Sequence, residues 1–415
     1  MPSGGVPEKI LSFEDARHLV QHQAQGLRPP GKELVELLDG LGLVLAEPVI
    51  ADRQLPPFPR ATRDGYAVRS DDVTVVPARL RVIGEIKAGA SSTVKLGRGE
   101  AIAIMTGAAA PDGSDAVVMI EHSSRTGDGV EIRKGVAAGE NIIPAGSEAR
   151  RGDRLLSPGM RLDYAAIAVA ASVGKSHLLA YTKPRVAVLA TGDELVDIDV
   201  PPAAHQIRNS NTYSLAAQIS AAGAEPVLLP IAPDDSERLR ELIDEGFEAD
   251  LLLLAGGVSM GKYDLVEQVL ADGGAEFFFT GAQIQPGKPI VFGQVGSRST
   301  PDTQRYFFGL PGNPVSTMVT FELFVRPMLE ALAGMASRKL MFLHAKLKTE
   351  IRTKTGLTRF LPAVLCGEFE QPEVELIRWQ GSGDIVAVAR ANCYVVVAPH
   401  RERIAAGEWV PILMK

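Results

Sequence analysis

Four carboxylates, one lysine and three glycine-bearing turns are the residues of this chain with the types and spacing for chemistry. Between residues 250 and 265 an apolar run breaks into Gly256-Gly257-Val258-Ser259-Met260-Gly261-Lys262-Tyr263-Asp264, and a helical pattern then resumes. That order is expected of a buried parallel strand whose carboxyl end opens onto a ligand. Glycines let backbone N–H groups approach an anion, and the loop runs toward the positive end of a helix. Gly256, Gly261 and Lys262 have the spacing of a phosphate-binding P-loop, but Tyr263 stands where a magnesium-binding Ser or Thr is required.

Two other segments leave predicted strands in the same way. One is Thr191-Gly192-Asp193-Glu194; the other is Pro311-Gly312-Asn313-Pro314-Val315-Ser316, with a proline suited to a first helical turn. Free amides at the latter turn and the Ser316 hydroxyl suit a phosphate or carboxylate, although a plain strand–helix connection would read the same. Pro286-Gly287-Lys288-Pro289 offers a cation on a stiffened loop. Asp193, Glu194 and Asp264 would repel an anion unless a hard cation such as Mg²⁺ lay between. As ordinary roles, Asp193 could cap a helix and Glu194 could be a surface residue. Asp64, followed by Gly65 after a proline-rich approach, is either a site loop or a simple turn. Thr106 either caps a helix or bonds a ligand. No Ser, His and Asp fall at nucleophile-elbow spacing, and the seven His are scattered. Charge neutralisation at a pyrophosphate therefore suits these residues better than covalent catalysis.

The elements that must position these groups follow from periodicity. From residue 183 to 332 buried strands alternate with amphipathic helices, which predicts a largely parallel sheet with helices on both faces. Strands are expected at 185–191, 226–231, 250–255, 276–280, 290–293 and 306–310, and helices at 212–222, 236–245, 265–270 and 314–332. Ligands of such sheets lie beyond the carboxyl ends of the strands, so the three turns share one rim. Residues 80–141 give short strands at 80–86, 101–105, 116–120 and 130–132. Upstream, Ser12 opens a helix to about residue 23, and the spacing of Leu34, Val35, Leu37 and Leu38 predicts a second helix at 32–38. Residues 162–172 form a helix closed by Gly174. The last section has strands at 361–365, 374–377, 386–389, 394–398 and 409–413, read as a small β-domain or barrel. Residues 297–303 read as a surface loop.

Composition sets the bounds. A chain of 415 residues exceeds one ordinary core, and 46% hydrophobic with 22% charged residues describes a soluble globular protein. A net charge of −7 argues against a nucleic-acid surface. Cys366 and Cys393 are too few for a zinc site and are expected to be reduced. The first ten residues lack a signal-peptide pattern and no apolar tract is long enough to span a bilayer, so a cytoplasmic location is expected, with no membrane partner.

Over nearly its whole length the chain resembles the molybdopterin molybdenumtransferases, the MoeA and gephyrin E-domain family. The resemblance rests on Leu55-Pro56-Pro57-Phe58, Asp64-Gly65-Tyr66-Ala67-Val68, Met105-Thr106-Gly107-Ala108 and Thr191-Gly192-Asp193-Glu194-Leu195. It continues through Arg208-Asn209-Ser210-Asn211, Gly256 to Asp264, Gln285-Pro286-Gly287-Lys288-Pro289, Leu310 to Ser316, and Ser382-Gly383-Asp384. The fold this implies is α/β plus β-rich domains. It has a central, mostly parallel, MogA-like molybdopterin-binding α/β domain and a β-rich domain carrying the Asp64 motif. A helical and extended N-terminal segment and a small C-terminal β-barrel complete it. The corresponding divisions are 1–50 with 146–182, 51–145, 183–333 and 340–415.

The implied activity is insertion of molybdate into adenylylated molybdopterin with Mg²⁺-dependent release of AMP, the last step of molybdenum cofactor biosynthesis. A homodimer with an inter-subunit site is implied, as are dealings with a molybdopterin adenylyltransferase and with recipient molybdoenzymes. By motif, Asp64, Thr106, Glu194, Asp264 and Lys288 match catalytic positions, with Asp64, Glu194 and Asp264 as metal ligands. Gly192, Asp193, Gly256, Gly257, Val258, Ser259, Gly287, Pro289, Pro311, Gly312, Asn313, Pro314, Ser316 and Ser382 match substrate-binding positions. Lys288, Pro289, Ser316, Ser382 and Arg359 match the molybdate-facing region, the pattern around Arg359 only loosely. Departures from the family pattern are Pro59, Ala61, Glu148 and Gln285. A non-catalytic molybdopterin-binding scaffold and a molybdopterin adenylyltransferase or P-loop ATPase are the alternatives. Tyr263 speaks against the ATPase, and the flanking β-domains speak against a stand-alone adenylyltransferase.

Overall fold

The computed structural model describes residues 8–90, 94–257, 265–296, 304–336 and 339–415. Its centre is a six-stranded sheet in the order Glu225–Leu228, Arg185–Ala190, Leu251–Ala255, Gln304–Leu310, Val291–Gly296, Glu276–Phe279. Five of the six strands run in one direction and only Val291–Gly296, next to the edge, runs against them, so the largely parallel sheet is found with one reversed strand. Leu251, Leu252, Leu253 and Leu254 are all buried, as a strand covered on both faces requires. One face packs on the helices Phe13–Ala24, Ser210–Ala222 and Arg326–Leu332, and the other on Ser236–Gly246 and Leu265–Asp272.

The run expected to be one helix at 314–332 is instead Pro314–Thr320, a π-helical turn Phe321–Val325, and Arg326–Leu332. Pro327 supplies the reason. It has no N–H to donate and its ring would crowd the carbonyl four residues earlier, so the backbone widens there.

Two further readings are corrected. Residues 32–38 are not a helix: Lys32–Glu36 is a strand paired antiparallel with His177–Tyr181. The apolar residues that mimicked a helical face stay in solvent, with Leu34 67% and Leu38 78% exposed. Residues 386–389 are not a strand but part of the helix Ile385–Arg390, because the Asp384 carboxylate accepts the Ala387 N–H and caps it.

The Asp64 region forms a second six-stranded sheet, in the order Ser123–Thr126, Gly129–Ile132, Ala78–Ile86, Glu100–Ile104, Gly65–Val68, Ala116–Met119. A C-terminal barrel of five strands closes where Cys393–Val397 pairs with Thr358–Cys366. Ile284–Gln285 from the α/β part joins that barrel, parallel to Thr358 and Arg359. At the N-terminus, the Ser12 hydroxyl accepts the Asp15 N–H and starts Phe13–Ala24. Phe13 then lies edge-on to Phe324 and Phe360, joining helix, α/β layer and barrel. Among the described residues no helix is long and apolar enough to cross a membrane.

Candidate functional site

Three parallel strands, Arg185–Ala190, Leu251–Ala255 and Gln304–Leu310, lie side by side and end together. Their exits are tied by backbone bonds: Thr191 N–H donates to the Ala255 carbonyl at 3.3 Å, and Gly256 N–H to Leu310 at 3.1 Å. Gly256 and Gly257 have φ of +94° and +66°. A Cβ on Gly257 would lie 2.5 Å from Val266 Cγ2 and 2.7 Å from Thr191 Cγ2, so glycine is required for closeness as well as for backbone hand. Beside it, a Cβ on Gly312 would sit 3.7 Å from the Gly256 Cα. The rim read from the sequence is therefore present in the described residues. Val258, Ser259 and Asp264 lie outside them.

The turn after Leu310 is held from within. Thr317 Oγ1 donates to the Pro311 and Asn313 carbonyls, and Asn313 stands at the cap position without a side-chain bond of its own. One amide that the sequence left free is taken: Val315 N–H donates to the Ser382 carbonyl at 3.0 Å. This bond brings the Ser382 loop onto the helix start, beside the buried Ser316. Gly312 is fixed by Asn211, whose Nδ2 donates to its carbonyl at 2.8 Å. Sequence reading placed Asn211 only within a motif. Nothing local signals its role, because its partner lies 101 residues away.

The Lys288 loop packs against the same helix. Gly287, at φ +104°, is placed so that a Cβ would lie 2.5 Å from Thr320 Cγ2 and 3.5 Å from the Ser316 carbonyl oxygen. Lys288 is half-buried, and its ammonium has no carboxylate partner among the described residues. Through the pairing of Gln285 with Arg359 the loop also meets the barrel. Arg359 is buried, which pushes its guanidinium below its usual value, and Nη1 donates to the Leu357 carbonyl at 3.1 Å.

The carboxylates divide. Asp193 Oδ1 accepts the Asp234 N–H at 3.1 Å and braces a loop. Glu194 is exposed, folds back over Gly192, and has no donor bonded to its carboxylate among the described residues. Asp64 lies on the second sheet. Its Oδ1 accepts both the N–H (2.6 Å) and the hydroxyl (2.7 Å) of Thr106. The backbone bond first, and the hydroxyl second, hold the Asp64 carboxyl below its usual range. Within one chain no hydrogen bond or ion pair among the described residues links this pair to the rim. The Glu148 departure has a local explanation: its Oε1 accepts Arg60 Nη2 at 2.8 Å. Cavities of about 320 and 370 Å³ lie elsewhere, one between Ser236–Gly246 and Leu265–Asp272, the other near Gln21 and Pro327. Neither holds the converging turns.

Known families match the chain along nearly its whole length. Residues 11–174 match the MoeA N-terminal region (domain I and II), 187–331 a probable molybdopterin binding domain, and 344–414 the MoeA C-terminal region (domain IV). A molybdopterin molybdenumtransferase of Bacillus subtilis is 30% identical over 97% of this chain and 93% of its own length. One from Staphylococcus aureus is 33% identical over 92% and 90%. A solved molybdopterin biosynthesis moeA protein of Pyrococcus horikoshii has a TM-score of 0.77 and 26% identity, covering 98% of this chain and all of that one. Fold and rim thus define a MogA-like α/β layer flanked by MoeA-type N-terminal and C-terminal parts. The chain belongs to the molybdopterin molybdenumtransferase family.

Proposed function

We propose that this chain inserts molybdate into adenylylated molybdopterin and releases AMP, completing the molybdenum cofactor. The carrying observation is the packing of the Lys288 loop on Ser316 and Thr320 of the helix that the Gly312-Asn313 turn starts, a turn that itself lies beside Gly256. Backbone turns of this kind suit a pyrophosphate, and a lysine beside them suits a second oxyanion. Gly192, Gly256, Gly257, Pro311, Gly312, Asn313, Pro314 and Ser316, with Val258 and Ser259, hold the adenylylated pterin. Lys288, Gly287, Pro289, Ser382 and Arg359 receive molybdate.

Glu194 supports the Mg²⁺ part of the reading, since it is an exposed, uncommitted hard-oxygen donor of the kind that ion takes one or two of. Glu194, Asp264 and Oδ2 of Asp64 would hold the ion, which would neutralise pyrophosphate charge. Thr106 keeps Asp64 ionised and aimed, and Asp193 keeps the Glu194 turn in place. Because no hydrogen bond or ion pair among the described residues joins Asp64 to the rim of its own chain, we take the complete site to be shared between two subunits of a homodimer. Four units, 1–50 with 146–182, 51–145, 183–333 and 340–415, are the divisions this reading uses. A molybdopterin adenylyltransferase as donor and molybdoenzymes as recipients follow from the same chemistry.

The test uses purified protein, adenylylated molybdopterin, molybdate and Mg²⁺. AMP should appear only with molybdate present, and EDTA should stop it. Lys288→Ala should raise the molybdate KM about tenfold, the scale of one charge-assisted hydrogen bond. Release independent of molybdate, or none at all, sinks the reading.

A further inference from the structure

The Lys288 loop is held from three parts of the chain, and one of them is the extreme N-terminal strand. Ile10 and Leu11 pair in parallel with Gly281 and Ala282. Lys9 N–H donates to Thr280 Oγ1 at 2.8 Å, Thr280 N–H returns to the Lys9 carbonyl at 3.0 Å, and Gln283 N–H donates to Leu11 at 2.8 Å. On the far side Thr358 N–H donates to the Gln283 carbonyl at 3.0 Å, and Ile284 and Gln285 run along Thr358 and Arg359. Inside the loop the Lys288 carbonyl accepts the amides of Ala282 and Ile290, each at 3.0 Å. The residue that carries the cation is therefore bonded to the same short strand that the N-terminus grips. A Cβ at Gly281 would lie 3.0 Å from Ile10 Cγ1 and 3.4 Å from the Lys288 carbonyl, so the N-terminal strand and the lysine backbone both close on one glycine.

We propose that residues 9–11 are a positioning element for oxyanion binding: they fix the Lys288 loop without touching the ligand. The proposal rests on the reading that Lys288 receives molybdate. Without the strand, Gly281 and Ala282 lose one neighbour, and the Lys288 loop keeps its internal bonds, its packing on the Ser316 helix and its barrel-side support. Binding of the oxyanion should suffer, while the phosphate turns, tied to Thr191, Asn211 and Ser382, should keep their shape.

Two variants test this in the full assay. A chain beginning at residue 12 removes the strand, and Thr280→Val removes only the acceptor for Lys9 N–H. The shortened chain should show about a tenfold higher molybdate KM, the scale of a small misplacement of a binding group. Its kcat and AMP affinity should stay near those of the full chain, and Thr280→Val should shift KM the same way by less. Hydrogen exchange should show Ala282 and Ile290, whose bonds lie inside the loop, losing protection. If kcat, AMP affinity and melting temperature all fall as KM rises, or if KM and the two amides do not move, the proposal is overturned. Should the full chain itself show no molybdate dependence and Lys288→Ala no effect, the functional reading has failed instead, and exchange at Ala282 and Ile290 still decides whether the strand holds the loop.

Discussion

Thr106 donates twice to a single oxygen of Asp64, and among the described residues no donor bonds Oδ2. The two bonds favour the charged carboxylate and hold its pKa below the ordinary value. Thr106→Val retains the N–H bond and deletes the hydroxyl bond. The Asp64 pKa should then rise toward its ordinary value, observable by carboxyl NMR titration. Because the native value is lowered, this pair's contribution to stability is complete above the unfolded carboxyl range and is lost as pH falls through the native value. In Thr106→Val the contribution should be smaller and the window over which it is lost narrower, its lower end moving up toward the unfolded value. Activity should fall roughly 10–100-fold if Thr106 orients a metal ligand.

Gly257 combines a left-handed backbone with two methyl groups within 2.7 Å of any Cβ. Gly257→Ala should cost about 1–3 kcal/mol in backbone strain, before any clash is counted. Urea unfolding measures that cost, and AMP binding should weaken in parallel because the turn beside Gly312 must move.

Glu322 is buried and accepts Arg326 Nε at 2.5 Å and Nη2 at 3.0 Å, while Gln218 Nε2 donates to it at 2.7 Å. The pair spans the π-turn and ties it to Ser210–Ala222. Arg326→Met should destabilise by about 3 kcal/mol, since it leaves a buried carboxylate short of its charge partner. Double substitution with Glu322→Leu should recover part of that loss in chemical denaturation.

Cys393 is buried, and burial pushes its thiol up to about 11. Between the unfolded value near 9 and that native value the unfolded chain ionises first, so stability declines as pH rises through this window. At pH 8 the native thiol should resist iodoacetamide and react once urea unfolds the barrel. Equal reaction rates in the two states would contradict the burial.

Much of the α/β layer was legible because its signals are local. Leu251 to Leu254 can only be a strand covered on both faces, and the helix at 236–245 declares itself by spacing. The rim followed from topology, since parallel neighbours must end on one side. What failed was non-local. Leu34 and Leu38 have helical spacing, but pairing with His177–Tyr181, some 140 residues on, decides their conformation. Val386 and Val388 favour a strand by propensity, and one carboxylate, Asp384, outweighs them. For the site, glycines and charges stood out in sequence, whereas the bonds that place them did not. Asn211 on Gly312, Ser382 on Val315 and Leu11 on Gln283 each join distant segments.

The grip of Lys9 on Thr280 spans 271 residues, and the pairing of Gln285 with Arg359 completes the loop from the other direction. A chain emerging in order can form its α/β sheet while Lys288 is still unsupported on the barrel side. The anion corner must then be among the last parts to take shape, since contacts of such separation close late. A product cut short before the barrel would present strands and phosphate turns but no competent corner for the second oxyanion. Completion of synthesis and competence for the reaction are thereby coupled through geometry alone.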